Sequence, residues 1–187
     1  MTRADDVETF RNLLTAVTEL VDDEYFLLPV ADQNGGEPII QYRERVYSYE
    51  LYHQLRLEWP NWDYSLGGEV DKRRHPVIHG QDLDNAKPDL LIHVPGTMDR
   101  NLVIVEIKAL SPNPSNRERA LIHDDLKKLR AFCDRAAYEA GFLLVFGEDV
   151  NRIIGHVNAA TAQGLNLNRM ELWHHREPGD AAYRVAL

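Results

Sequence analysis

The hydrophobic pattern of the chain is strongest between Lys87 and Leu110, where two apolar runs flank a turn-forming segment. The runs read LLIHV and LVIVEI, and the residues PGTMDRN lie between them. Short runs rich in Leu, Ile and Val, separated by a turn, are typical of a β-hairpin that is buried on at least one face. The sequence therefore predicts a central hairpin over residues 87–110.

Two segments with helical periodicity precede this hairpin. An apolar stripe over residues 4–22 predicts an amphipathic helix. A second predicted helix covers about residues 41–58, where Tyr47, Leu51 and Leu55 recur at helical spacing. The first of these helices belongs to a front section of 40 residues that is either a cap on the core or an oligomerisation element.

Two strands are predicted between the front helix and the hairpin. The segment YFLLPV at 25–30 indicates a short strand that ends at Pro29, because proline cannot donate to a strand ladder. The segment LGGEVDKRR at 66–74 indicates the first strand of the core. Its basic end forms a turn that leads toward the hairpin.

The elements after the hairpin alternate between helix and strand. A long helix is predicted to about residue 140, followed by a buried strand at 142–149 and a helix ended by Gly164. The segments MELWHHR and AAYRVAL predict a closing pair of strands. Antiparallel strands followed by a strand–helix–strand crossover give a mixed sheet flanked by helices.

The predicted architecture is therefore an α/β (α+β) fold in one domain over residues 1–187. Its core, at 41–149, has the order αβββαβ. An N-terminal helical extension occupies 1–40, and a C-terminal helix with a pair of strands occupies 150–187.

Composition supports a globular protein and suggests its compartment. A chain of 187 residues with 44% hydrophobic and 27% charged residues fits one ordinary domain. The single cysteine, Cys133, excludes an internal disulfide framework and fits a reducing cytoplasm. The N-terminus lacks the apolar core of a signal peptide, and no apolar run approaches the roughly 18 residues of a membrane span. We therefore expect a cytoplasmic protein with no membrane partner.

The net charge of the chain is −9 at pH 7. Proteins that bind nucleic acid non-specifically draw most of their affinity from Lys and Arg at phosphates. An acidic chain is therefore not expected to be a strong, electrostatically driven nucleic-acid binder, although a local basic surface remains compatible with it.

The apolar hairpin contains three charged residues, Asp89, Glu106 and Lys108. Burying a charge is costly unless the charge is paired or holds a metal. Glu106 and Lys108 are two residues apart and so point to one face of their strand, and Asp89 begins the partner strand. Two carboxylates and an amine in this arrangement predict a Mg²⁺ site, with Mn²⁺ as a substitute. The alternative is an ion pair at a strand end, with Asp89 capping the turn after Pro88.

The segments Pro88-Asp89 and Glu106-Ile107-Lys108 resemble the catalytic signature of the PD-(D/E)XK nuclease superfamily, the restriction-endonuclease-like fold. The resemblance covers about residues 41–149 and is greatest to small, uncharacterised stand-alone prokaryotic members. It implies that Asp89, Glu106 and the Ile107 carbonyl hold the metal and that Lys108 orients or activates water. It also implies a metal-site role for Glu44, which lies on the helix before the first core strand; a favourable contact with the helix dipole is the alternative.

The same resemblance implies further roles for residues near the hairpin. His93 corresponds to a histidine a few residues after the Pro-Asp pair, where it either contacts nucleic acid or is a core histidine. Asp125 and Lys128 match an Asp-x-x-Lys-Leu segment and either support the site or form a solvated pair. The basic turn is suited to a DNA groove or backbone, or is a solvated loop; it contains Lys72, Arg73 and Arg74.

The function that the resemblance implies is a Mg²⁺-dependent nuclease that hydrolyses phosphodiester bonds, in DNA more than in RNA. Cleavage of both strands of a duplex would need a second active site, and hence a homodimer. Two other classes remain open from the sequence. One is a catalytically silent nuclease-fold module that binds nucleic acid or protein, and the other is a structural or regulatory subunit.

Overall fold

The computed structural model describes residues 2–30, 35–36, 39–68, 83, 87–110, 117–147 and 149–187. Within these ranges the helices are α1 (Arg3–Thr18), α2 (Asp23–Phe26), α3 (Glu44–Leu57), α4 (Glu118–Arg135) and α5 (Val150–Ala162). The strands are β1 (Leu27–Val30), β2 (Ile39–Tyr42), β3 (Ser65–Gly68), β4 (Leu90–His93), β5 (Asn101–Ala109), β6 (Ala140–Phe146), β7 (Met170–His175) and β8 (Tyr183–Val185).

The main sheet has six strands that follow one another in chain order from β3 to β8. The pairs β3–β4 and β4–β5 are antiparallel. The strands β5, β6 and β7 run parallel to one another, and β8 pairs antiparallel with β7. Helix α4 connects β5 to β6, and helix α5 connects β6 to β7. Both connections are right-handed and move in the same direction across the sheet, so both helices lie on one face. The predicted α+β class, with a mixed sheet flanked by helices, is confirmed.

Alternation of side chains along the strands divides the core between the two faces of the sheet. Val103, Val105 and Ile107 of β5 pack toward α1 and α3, while Ile104 packs toward α4 and α5. Glu106 and Lys108 share the face of Ile104 because they follow it by two and four residues. The two charged residues therefore face the layer that contains α4.

The front helix α1 is part of the core of the chain. Its apolar stripe is fully buried against the sheet, as the residues Val7, Phe10, Leu14 and Val17 show. Thr2 begins the helix with a capping box, in which its hydroxyl accepts from the Asp5 N–H. Helix α1 therefore packs on the core, and both predicted roles of the front section stay predictions.

Some predicted boundaries are wrong. Pro29 lies inside β1, where it pairs with Ile40 of β2, because this separate two-stranded sheet tolerates a residue without an N–H. The strand β2 itself was not predicted. The helix α4 ends at Arg135 and not near residue 140, since Ala137 has a positive φ of 53°. The predicted strand at 66–74 is β3 as far as Gly68, and its remaining residues lie outside the described ranges.

None of the helices in these ranges is long and apolar enough to cross a membrane.

Candidate active site

The end of the β4–β5 ladder brings Asp89 to β5. The last pair of the ladder joins Leu90 to Val105, and β5 continues beyond it to Ala109. Asp89 lies just before β4, and its Oδ2 accepts the Ile107 N–H at 2.7 Å. This side-chain hydrogen bond therefore connects the two strands of the hairpin beyond their last backbone pair. Because the N–H and C=O of one strand residue point to the same side, the Ile107 carbonyl lies on this edge too.

Glu106 is a buried carboxylate with one oxygen left over. Its exposed fraction is 2%, and its Oε2 accepts from Lys128 Nζ at 2.6 Å. Its Oε1 has no hydrogen-bond partner among the residues that the structure describes. Burial, followed by the neighbouring Asp89 carboxylate, raises the pKa of Glu106 well above its usual range despite the ammonium of Lys128. Most buried acceptors have a partner, and a water molecule or a cation would satisfy this oxygen.

Lys108 is contacted from both helical layers. Its Nζ lies 3.0 Å from Glu44 Oε1, on α3, and 3.2 Å from Asp125 Oδ2, on α4. The other oxygen of Glu44 accepts the Ala109 N–H at 3.3 Å, so this carboxylate also fixes the end of β5. Burial lowers the pKa of Lys108, but the carboxylates of Asp125 and Glu44 outweigh it and the net shift is upward. Lys108 is therefore an ammonium at neutral pH.

Asp125 and Lys128 join this group from one turn of α4. Asp125 is 7% exposed and lies between the two lysines, with Oδ1 at 3.3 Å from Lys128 Nζ. The contacts form one continuous chain, in the order Glu44, Lys108, Asp125, Lys128 and Glu106. The alternative of a solvated surface pair does not describe Asp125, since its side chain is buried within the site.

Negative charge exceeds positive charge in this cluster, where four carboxylates surround two ammonium groups. Burial, with a contribution from Glu44, raises the pKa of Asp89 to about 6, and the Ile107 N–H and Lys108 only partly offset the rise. A divalent cation beside Asp89 and Glu106 would relieve this repulsion and would fill the open acceptor of Glu106. The carboxylates Asp89 and Glu106, with the Ile107 carbonyl, therefore fit Mg²⁺, which takes one or two protein carboxylates and keeps several waters.

The described ranges contain no group of three or more His, Cys, Asp or Glu side chains arranged to hold a metal ion. A site built only from protein side chains, of the kind typical for Zn²⁺, is thus not present in this part of the chain. The Mg²⁺ prediction does not need such a cage, because water and a substrate phosphate complete the coordination of that ion.

The structure separates His93 from the cluster. His93 lies at the far end of β4, opposite Asn101 and Ser65, so about 13 Å of strand separates it from Asp89. The basic residues Lys72, Arg73 and Arg74 lie outside the described residues.

A cavity of about 360 Å³ beside Asp89 was not predicted from the sequence. It is lined from α3 by Ser48, Tyr49 and Tyr52, and from the strands by Gly68 and Leu90. Only the packing of α3 against β3 and β4 brings Tyr49 and Tyr52 to Asp89. No pattern in the sequence contains that information.

The chain has no match among known protein families, and neither a curated protein nor a solved structure resembles it significantly. The superfamily resemblance therefore stays a prediction carried by the motif residues.

Proposed function

We propose that this protein is a Mg²⁺-dependent nuclease that hydrolyses phosphodiester bonds, with DNA as the more favoured substrate over RNA. The observation that carries the proposal is the buried Glu106 carboxylate, whose Oε1 has no partner among the described residues. It lies beside Asp89 and two residues before an ammonium, at a strand end. This combination would be costly for folding alone, and it suits a cation that bridges protein and phosphate.

Asp89, Glu106 and the Ile107 carbonyl would hold the metal. When bound, Mg²⁺ would polarise the scissile phosphate and lower the pKa of a coordinated water. In hydrolysis, a water oxygen bonds to phosphorus and one P–O ester bond breaks, which leaves a phosphate monoester and an alcohol. Negative charge develops on the phosphoryl oxygens in this step.

Lys108 would orient the attacking water and stabilise this developing charge. Its ammonium form supports these roles over that of a general base, because Glu44 and Asp125 favour the protonated state. Glu44 and Asp125 hold Lys108 from opposite layers and so fix its position. Glu44 would also be available to bind a second metal, directly or through water.

Calorimetric titration with Mg²⁺ and Mn²⁺ tests the metal site. We expect binding by the wild type and its loss in the double variant Asp89→Asn, Glu106→Gln, because both proposed ligand carboxylates become neutral. Asp124→Asn is the matched control, since this exposed carboxylate lies on α4 next to Asp125 but outside the cluster. Equal affinity in the wild type and the double variant would overturn the assignment of these ligands.

Cleavage assays test the role of Lys108. Lys108→Met keeps most of the side-chain length and removes the charge, and we expect it to abolish cleavage while Mg²⁺ binding remains. Lys127→Met, on the exposed side of α4, is the control. Mg²⁺-dependent cleavage that survives in Lys108→Met at the wild-type rate would contradict the mechanism.

A second candidate is a catalytically silent module that binds nucleic acid or protein. The contact between Lys128 and Glu106 favours it, because the protein supplies its own cation to the carboxylate at 2.6 Å. Such a protein would bind oligonucleotides without cleaving them in Mg²⁺ or Mn²⁺. Cleavage by the wild type that Lys108→Met removes would exclude this candidate.

A further inference from the structure

The cavity beside Asp89 has an exposed aromatic wall. Tyr49 is 60% exposed, and Tyr52 lies three residues further along α3, so the two rings are neighbours on one side of the helix. The volume of about 360 Å³ lies at the lower end of the range for sites that bind small organic groups. An exposed ring of this size next to a buried carboxylate cluster is a feature that core packing does not explain.

Gly68 gives the cavity its floor. A Cβ at this position would lie 3.4 Å from the Asp89 carbonyl oxygen and 3.6 Å from the Tyr52 ring. The absence of a side chain therefore leaves the space between Tyr52 and the backbone of Asp89 open. Tyr49 and Asp89 both line this cavity, so a flat group bound in it would lie next to both.

We propose that this cavity binds an unpaired nucleobase, so that the substrate is a single strand or a strand with an unpaired nucleotide at the cleavage position. The inference rests on the proposed function, which locates the adjacent phosphate at Asp89 and Glu106. Tyrosine is suited to the role because its ring stacks on any base while its hydroxyl stays in water.

Two features favour a base as the occupant. A base within a duplex is stacked on its neighbours and paired with its partner, so it must be unpaired and unstacked before it can insert into a cavity of this shape. The net charge of −9 also disfavours the strong phosphate neutralisation on which duplex binding depends. Stacking supplies affinity that does not require basic residues.

Fluorescence anisotropy with three labelled probes of equal length tests the inference: oligothymidylate, a duplex, and a strand of abasic sites. Binding is measured with Mg²⁺ and with a chelator in its place. The proteins are the wild type, Tyr49→Ala, Tyr49→Phe and Leu57→Ala. Leu57 is the matched control because it is 64% exposed on the same helix, at its other end.

We expect the wild type to bind oligothymidylate more tightly than the duplex or the abasic strand. Tyr49→Ala should bind oligothymidylate about tenfold more weakly, the loss typical of one aromatic–base stack, whereas Tyr49→Phe and Leu57→Ala should retain the wild-type affinity. Unchanged affinity in Tyr49→Ala, equal affinity for the abasic strand, or no binding of oligothymidylate in either buffer would overturn the inference.

The outcomes separate this inference from the nuclease proposal. Metal-dependent cleavage with no effect of Tyr49→Ala would overturn the base site alone. Binding of oligothymidylate that depends on Tyr49, without cleavage by the wild type, would support the base site and overturn the nuclease proposal.

Discussion

Each of the two ammonium groups at the end of β5 contacts two carboxylates. Lys108 contacts Glu44 and Asp125, and Lys128 contacts Asp125 and Glu106. Asp125 is shared, so a change in either lysine alters the field at the other. Lys128 therefore has two effects: it stabilises the buried Glu106 carboxylate and it competes with any cation that Glu106 would bind.

We expect Lys128→Met to lower the free energy of unfolding and to increase the stabilisation by Mg²⁺. Breaking a buried pair costs about 3–5 kcal/mol when the remaining charge stays ionised. The raised pKa of Glu106 allows this carboxyl to take up a proton, so the loss should be smaller, about 2 kcal/mol. Thermal unfolding with and without Mg²⁺ measures both effects.

The size of the Mg²⁺-induced rise in Tm distinguishes competition from a purely structural role. Lys128→Met should show a larger rise than the wild type, because the ion no longer shares the Glu106 carboxylate with an ammonium that repels it. Lys127→Met removes an exposed charge one residue away and should behave like the wild type. An equal rise in all three proteins would mean that Lys128 does not compete with the cation for Glu106.

The sequence predicted part of this cluster. The shared face of Glu106 and Lys108 follows from the period of two along a strand. The burial of Asp125 could not be predicted, because an Asp–Lys pair at i,i+3 has the same spacing on a solvated face and on a face that packs against a site. The packing of α4 on β5 decides whether this face is solvated or buried, and such a tertiary contact cannot be read from the spacing of the residues.

The helices and strands show the same division between local and tertiary information. The hairpin of β4 and β5 was predicted because its strands are apolar and its turn is polar. The predicted end of α4 was wrong because the segment AAYEA favours helix. In the structure Ala137 adopts a φ of 53°, which alanine rarely takes and which ends the helix. Tyr138, directly after it, is buried with an exposed fraction of 1%, and this packing favours the turn.

We expect Phe10→Ala to destabilise the chain by about 3–5 kcal/mol, as is typical for a large aromatic side chain removed from a core. Phe10 is fully buried, and its ring centroid lies 5.7 Å from that of Phe142 on β6. Urea unfolding measures the loss. Leu20→Ala, at a position 45% exposed beyond the end of α1, should change stability by less than about 1 kcal/mol. A loss for Phe10→Ala as small as that for Leu20→Ala would show that α1 is not needed for the core.

The acidic charge of the whole molecule limits how it can bind a polyanion. At −9, affinity for nucleic acid must come from a bound cation, from stacking, or from a local basic surface. The first two sources are the proposed roles of the cluster and of the cavity beside Asp89. A local basic surface is the predicted role of Lys72, Arg73 and Arg74. Its contribution to affinity depends on salt concentration, whereas that of stacking does not, so the two can be measured separately.

We expect the triple variant Lys72→Gln, Arg73→Gln, Arg74→Gln to bind oligothymidylate more weakly and with a shallower salt dependence. Each phosphate contact on a single strand contributes about 0.7 to the slope of log affinity against log salt concentration, so loss of three contacts reduces the slope by about 2. Anisotropy titrations over a range of NaCl concentrations measure it. Tyr49→Ala should lower the affinity and leave the slope unchanged, because stacking releases no counterions.

A control with the same change in net charge makes this measurement specific. The triple variant Arg56→Gln, Arg176→Gln, Arg184→Gln removes three exposed charges outside residues 72–74. If the slope depended only on the overall charge, both triple variants would lose affinity with the same slope. A slope that falls only in the variant of residues 72–74 would assign the phosphate contacts to these residues, and equal slopes would contradict their predicted role.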